Sequence, residues 1–125
     1  MNETPKLSSN VQLALASLWA IIVGTAVGIY VIGSGISAEV LPEAAGPLFA
    51  LILALAFFSV SLLWVGNRFG YIGALITGIL HIVNMGVVLG DVATGITDLA
   101  WLIFAIPGIV FGLILLASAY AAWRE

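Results

Sequence analysis

Read for hydrophobic and polar positions, the chain divides into four long apolar stretches with short polar breaks between them. The stretches cover residues 11–33, 45–65, 69–90 and 99–123, and none has Lys, Arg, Asp or Glu in its interior. Each is close to the roughly 20 residues that cross a bilayer core. In lipid every backbone N–H and C=O must be paired within its own segment, so all four stretches are predicted to be helices. The first is longer than the apolar core of a secretory signal, about 7–15 residues. It is therefore read as a retained helix, although Ile36-Ser37-Ala38 loosely resembles a cleavage site.

The breaks set the connectivity. Residues 66–70 leave room only for a tight turn, with Gly66 and Gly70 available for positive φ. The second and third helices must then be antiparallel neighbours. Asp91 to Asp98 joins the third helix to the fourth, and Thr97 or Asp98 can cap the latter. The longest break, residues 34–44, contains Glu39, Pro42 and Glu43, and Pro47 suits a first helical turn. The fold expected is all-α, an integral membrane four-helix bundle forming one transmembrane domain over 1–125. The second helix has only Ser59 and Ser61 as polar residues between Leu48 and Leu63, and is expected to be the most lipid-exposed.

Composition supports the bilayer as solvent. Of 125 residues, 63% are hydrophobic and only 7% charged, and mean hydropathy is +1.27. A soluble domain carries about a quarter charged residues to cover its surface. The basic charges are sorted. Lys6, Arg68 and Arg124 fall on one side of a four-span bundle, and Glu39, Glu43, Asp91 and Asp98 on the other; Glu3 and Glu125 share the basic side, but acidic residues contribute little to orientation. Basic residues concentrate in cytoplasmic segments, so both termini are expected inside, in a plasma or inner membrane. Trp64, Tyr71, Tyr120 and Trp123 near the inner ends, with Tyr30 and Trp101 near the outer ones, suit headgroup anchoring. The three scattered basic residues form no nucleic-acid patch.

Small residues recur at a spacing of four: Gly24 and Gly28, Gly86 and Gly90, Gly108 and Gly112, with Ala74 and Gly78 as a weaker version. Such pairs let helix backbones approach closely, inside one bundle or between copies.

Polar residues inside the spans concentrate on the third helix. Thr77, His81, Asn84 and Asp91 fall within an arc of about 80° at 100° per residue. His81, the sole histidine, lies near mid-span. Polar groups at that depth normally face the bundle interior or a water-filled cavity. One reading makes them structural. Pro107 on the fourth helix has no N–H and frees the carbonyl of Ile103, which Asn84, at a similar depth, is expected to satisfy. His81 would then bond a carbonyl, Ser59 or Thr25.

Three functional readings stand beside it. The stripe Thr77, His81, Asn84, Asp91 could line a route for a small solute or proton. The chain could be an accessory subunit, or present an apolar pocket, within a homo-oligomer or larger membrane complex. His81, with Met85 one turn on, could ligate a metal, or a haem across a symmetric dimer; a lone histidine makes this the weakest, and no cofactor is expected. With no cysteine, no phosphate loop and no deep carboxylate pair, the chain is expected not to be an enzyme. The signature residues match no known four-helix membrane family.

The orientation has a direct test in this cysteine-free chain. Single variants N67C and T94C should react with a membrane-impermeant maleimide from opposite faces, N67C from the cytoplasmic one. Labelling of both from the same face would overturn the four-span topology.

Overall fold

The computed structural model describes residues 8–34, 45–96 and 99–125. Four helices account for nearly all of them: α1 (Ser9–Ser34), α2 (Ala45–Trp64), α3 (Phe69–Ala93) and α4 (Leu102–Trp123), the last entered through a 3-10 turn over Leu99–Trp101. All four are long and apolar enough to cross a membrane. Lys6, the segment holding Glu39, Pro42 and Glu43, and the proposed caps Thr97 and Asp98 lie outside the described residues.

Local chemistry sets the helix ends. Ser8 caps α1, its Oγ accepting from the Val11 N–H at 3.3 Å. Gly66 ends α2 at φ +78°. The Gly66 N–H donates to Leu63 O at 3.1 Å and the Asn67 N–H to Leu62 O at 2.8 Å, the paired bonds of a left-handed glycine cap. Asn67 then starts α3 by accepting from the Phe69 N–H at 2.9 Å. The same device ends α3 at Gly95, also at φ +78°, with Ile96 N–H donating to Asp91 O at 2.9 Å. Gly70 departs from its expected role. It lies inside α3 with ordinary helical φ, and its missing side chain admits α2: a Cβ there would stand 2.8 Å from the backbone nitrogen of Leu63.

The helices form a ring. α1 and α3 each pack on both α2 and α4, while α1 and α3 touch slightly across the diagonal and α2 and α4 do not. The most extensive contact joins α3 to α4. It is a glycine seam: a Cβ at Gly112 would strike the Ile82 side chain and stand 3.6 Å from Gly78 O, and one at Gly78 would strike Leu116. Two apolar clusters fill the ring. The larger, with Leu18, Ile52 and Leu115 fully buried, lies toward the end bearing Arg68. The smaller groups Phe49, Met85, Val88, Trp101 and Ala105 toward the Asp91 end.

The least buried helices are α2 and α4: 33% and 28% of their apolar spans are buried in the bundle, against 44% for α1 and α3. The inner face of α4 is narrow, made mainly of Ala105, Gly108, Gly112, Ser118, Ala119 and Ala122. Small residues let α3 and α1 come close without wrapping the helix.

Polar ties gather at the Arg68 end. Asn10 Nδ2 donates to Glu125 Oε1 at 2.8 Å, joining α1 to the end of α4. Hydrogen bonds from Ser8 and Asn10 hold the Glu125 carboxyl below its ordinary range. Arg68 Nη2 donates to Trp123 O at 3.2 Å, and its guanidinium lies 4.4 Å from the centre of the Trp123 ring.

Two glycine variants should separate packing from propensity. Gly70→Ala should lower thermal stability in detergent by about 1–3 kcal/mol, because the obstacle is backbone. Gly86→Ala meets nothing within 4 Å and should be neutral or stabilising by up to about 1 kcal/mol. Equal effects from both would contradict the close approach of α2 and α3.

Candidate functional site

The polar face of α3 is turned inward: Thr77, His81 and Asn84 are buried, and Asp91 is half-buried. Most buried hydroxyls in the bundle are satisfied within their own helices. Thr77 Oγ1 donates to Gly73 O, Ser59 Oγ to Leu55 O and Ser118 Oγ to Ile114 O, each at 2.7 Å. Bonding to the carbonyl four residues back lets a hydroxyl be buried without a partner on another helix. Among the described residues, four buried polar atoms have no partner: Thr25 Oγ1, His81 Nδ1, Asn84 Nδ2 and Asp91 Oδ2.

The bond expected between Asn84 and the Ile103 carbonyl is therefore not formed, since the amide nitrogen that would donate it is unpaired. The two residues match in height but not in bearing. The Ile103 side chain is 73% exposed, whereas α4 meets α3 through Gly108 and Gly112. Nor does His81 pair through Nδ1 with Thr25 or Ser59, because Nδ1 and the Thr25 hydroxyl are both unpaired.

Thr25 and His81 instead line one cavity of about 120 Å³ between α1, α3 and α4, closed by Phe49 from α2. His81, the central residue of α3, and Met85 form its floor. Its rim is made by Ile103, Pro107 and Phe111 on α4, all exposed, and by Ala20 and Gly24 on α1. The cavity thus opens through the side of the bundle, between α1 and α4. Two glycines shape it. A Cβ at Gly108 would stand 2.6 Å from Met85 Cγ and 3.0 Å from His81 Nε2, so both side chains lie against bare α4 backbone. A Cβ at Gly24 would meet nothing within 4 Å, which leaves the mouth open on the α1 side.

The lining holds no Asp, Glu, Lys or Arg. Of the stripe on α3 it includes His81 alone; Thr77, Asn84 and Asp91 are not part of it. The other paired glycines are placed elsewhere. A Cβ at Gly28 would stand 3.6 Å from the Phe49 ring, Gly112 faces α3, and Gly86 and Gly90 are exposed, where a Cβ would meet nothing within 4 Å. His81 and Met85 share the floor, but no three His, Cys, Asp or Glu residues come together among the described residues. A wider recess of about 400 Å³ lies between α2 and α3. Its one side-chain amide, Asn67, accepts the Phe69 N–H, and no buried unpaired polar atom among the described residues lies in its lining.

Thr25 and the aromatic walls Phe49, Phe104 and Phe111 were not singled out as site residues by sequence reasoning. For Thr25 a signal existed: it is the polar side chain nearest the middle of the first span. The phenylalanines carry none, being indistinguishable in sequence from ordinary apolar surface.

Fold and site define a small all-helical chain with four membrane-length helices and a side-opening crevice holding one imidazole and one hydroxyl. No family model, curated protein or solved structure matches it.

The unpaired hydroxyl has a measurable consequence. A buried polar group without a partner costs about 1–3 kcal/mol, so the near-isosteric Thr25→Val should raise the thermal stability of ligand-free protein. Thr77→Val, which removes a made bond to Gly73 O, should leave it unchanged or lower it. Destabilisation by Thr25→Val greater than by Thr77→Val would show that the Thr25 hydroxyl is satisfied.

Proposed function

We propose that this chain is a membrane protein, inserted with both termini on the cytoplasmic side, that holds a small lipid-dissolved molecule in the crevice between α1 and α4. The observation that carries this reading is an apolar cavity lined by His81 and Thr25, both buried and each holding a polar atom without a partner. Ligand sites are mostly apolar hollows with a few convergent polar groups, and this one has that composition. A polar atom brought in by a ligand offsets the cost of leaving those groups unpaired.

Geometry also bears on how the molecule arrives. The exposed rim residues stand within the apolar span of α4, so the mouth faces the acyl-chain region of a bilayer. Entry is then sideways from lipid. Holding is favoured over conduction along α3, because the cavity takes in His81 and leaves Asn84 and Asp91 outside its lining. Binding is favoured over catalysis, because His81 and Thr25 line the cavity with no carboxylate to orient or assist them.

Met85 is one of two methionines and sits on the crevice floor, so its methyl group is a built-in reporter. In lipid nanodiscs, titration with phenol should shift the ¹³C-methyl signal of Met85 saturably and leave that of Met1 unmoved. Gly24→Phe should abolish the response, since a side chain at Gly24 meets no protein atom within 4 Å and can occupy the mouth. A response that never saturates, or one that survives Gly24→Phe, would overturn the binding reading.

A further inference from the structure

The polar atoms around the crevice differ in what they can offer. The His81 imidazole and the Thr25 hydroxyl line it, and so do Ile103 and Pro107. Pro107 lies inside α4 and has no N–H, so the carbonyl of Ile103 lacks its donor four residues on. A neutral imidazole supplies one donor and one acceptor, a hydroxyl one donor and two lone pairs, and a carbonyl accepts only. The unprotonated nitrogen of a neutral imidazole is the strongest acceptor among them, so a ligand gains most there by donating.

Charge and size narrow the class further. No ionised side chain lines the cavity, and burying an unpaired charge costs far more than burying a neutral polar group. That disfavours ammonium and carboxylate heads. A dry apolar cavity of about 150 Å³ is known to hold a single benzene ring. The crevice, about 120 Å³ and open on one side, is on that scale. Phe49, Phe104 and Phe111 supply aromatic walls.

We infer that the crevice selects a compact, uncharged alcohol or phenol. Its hydroxyl is directed at His81, where the imidazole accepts its hydrogen bond, and its apolar body lies among the phenylalanines toward the α4 rim. This inference rests on the binding reading above, and its test is built so that the two fail separately.

Phenol, anisole and toluene share a ring and differ in polar capacity: phenol donates, anisole only accepts, and toluene does neither. Affinities for the wild-type chain in nanodiscs are compared at equal mole fraction in the lipid, using the Met85 methyl signal. Phenol should bind about tenfold more tightly than anisole or toluene, the effect of one net hydrogen bond. His81 is the sole histidine, so ¹⁵N-histidine labelling gives an unambiguous second readout. The signal of its unprotonated ring nitrogen should move upfield with phenol and stay in place with the other two. His81→Phe should keep the toluene response and lose the preference for phenol.

Equal affinity for all three probes with an unmoved His81 signal would overturn the donor inference while leaving binding intact. A phenol preference that survives His81→Phe would overturn the role given to the imidazole. Absence of a saturable Met85 response to every probe would remove the binding reading, and this inference with it.

Discussion

The close approach of α3 and α4 governs most of what the interior looks like. At Gly78 and Gly112 no side chain separates the two backbones. In lipid, apolar surface gains little by being hidden, and close backbone packing takes over as the source of helix association. The seam sets the rotation of α3, and with it the direction of everything on the same face. His81 and Met85 come to rest against Gly108 because no Cβ stands in their way. The small inner face of α4 has a second effect. It leaves α4, like α2, little buried and leaves space on its α1 side, where Gly24 adds nothing to fill it. The crevice is the remainder of a seam packed tightly on one side only.

Polarity in the interior follows one rule with a few exceptions. Hydroxyls at Ser59, Thr77 and Ser118 fold back onto their own helices, which removes them from chemistry. Thr25, also on a helix and also buried, does not. An imidazole cannot fold back in that way as readily, being planar and bulkier, so His81 relies on whatever occupies the space before it. Thr25 and His81, which line the crevice, differ in this from Asn84, which is equally buried and unpaired but stands outside the lining.

What could be read from sequence divides along physical lines. The four helices were legible because bilayer thickness and backbone pairing leave little choice once four such apolar runs are present. The inward face of α3 was legible because 100° per residue fixes which positions share a side. Partners across helices were not. Depth along two helices can be counted from residue numbers, which is why Asn84 and Ile103 looked matched. Rotation about each axis depends on how Gly78 and Gly112 interlock, and residue spacing does not contain it. Gly70 shows the same limit within one hairpin: its neighbours in sequence suggested a turn, and its function is to admit Leu63. The helix α2 looked the most exposed; it is one of the two least buried, and α4 matches it because its inner face is made of small residues.

The left-handed cap at Gly66 has a consequence for the order of assembly. It reverses the chain within a few residues, so α2 and α3 meet through contacts that are nearly local, Leu63 with Gly70 and Ser59 with Gly73. Local contacts form early because little chain entropy is lost in closing them. The contact of α1 with α4 lies at the opposite extreme, joining the two most distant helices, with Asn10 and Glu125 bonded at its end. It can close only once α4 is in place. The crevice lies along that contact, so the pocket is the part of the interior that comes into being last, when the ring is shut.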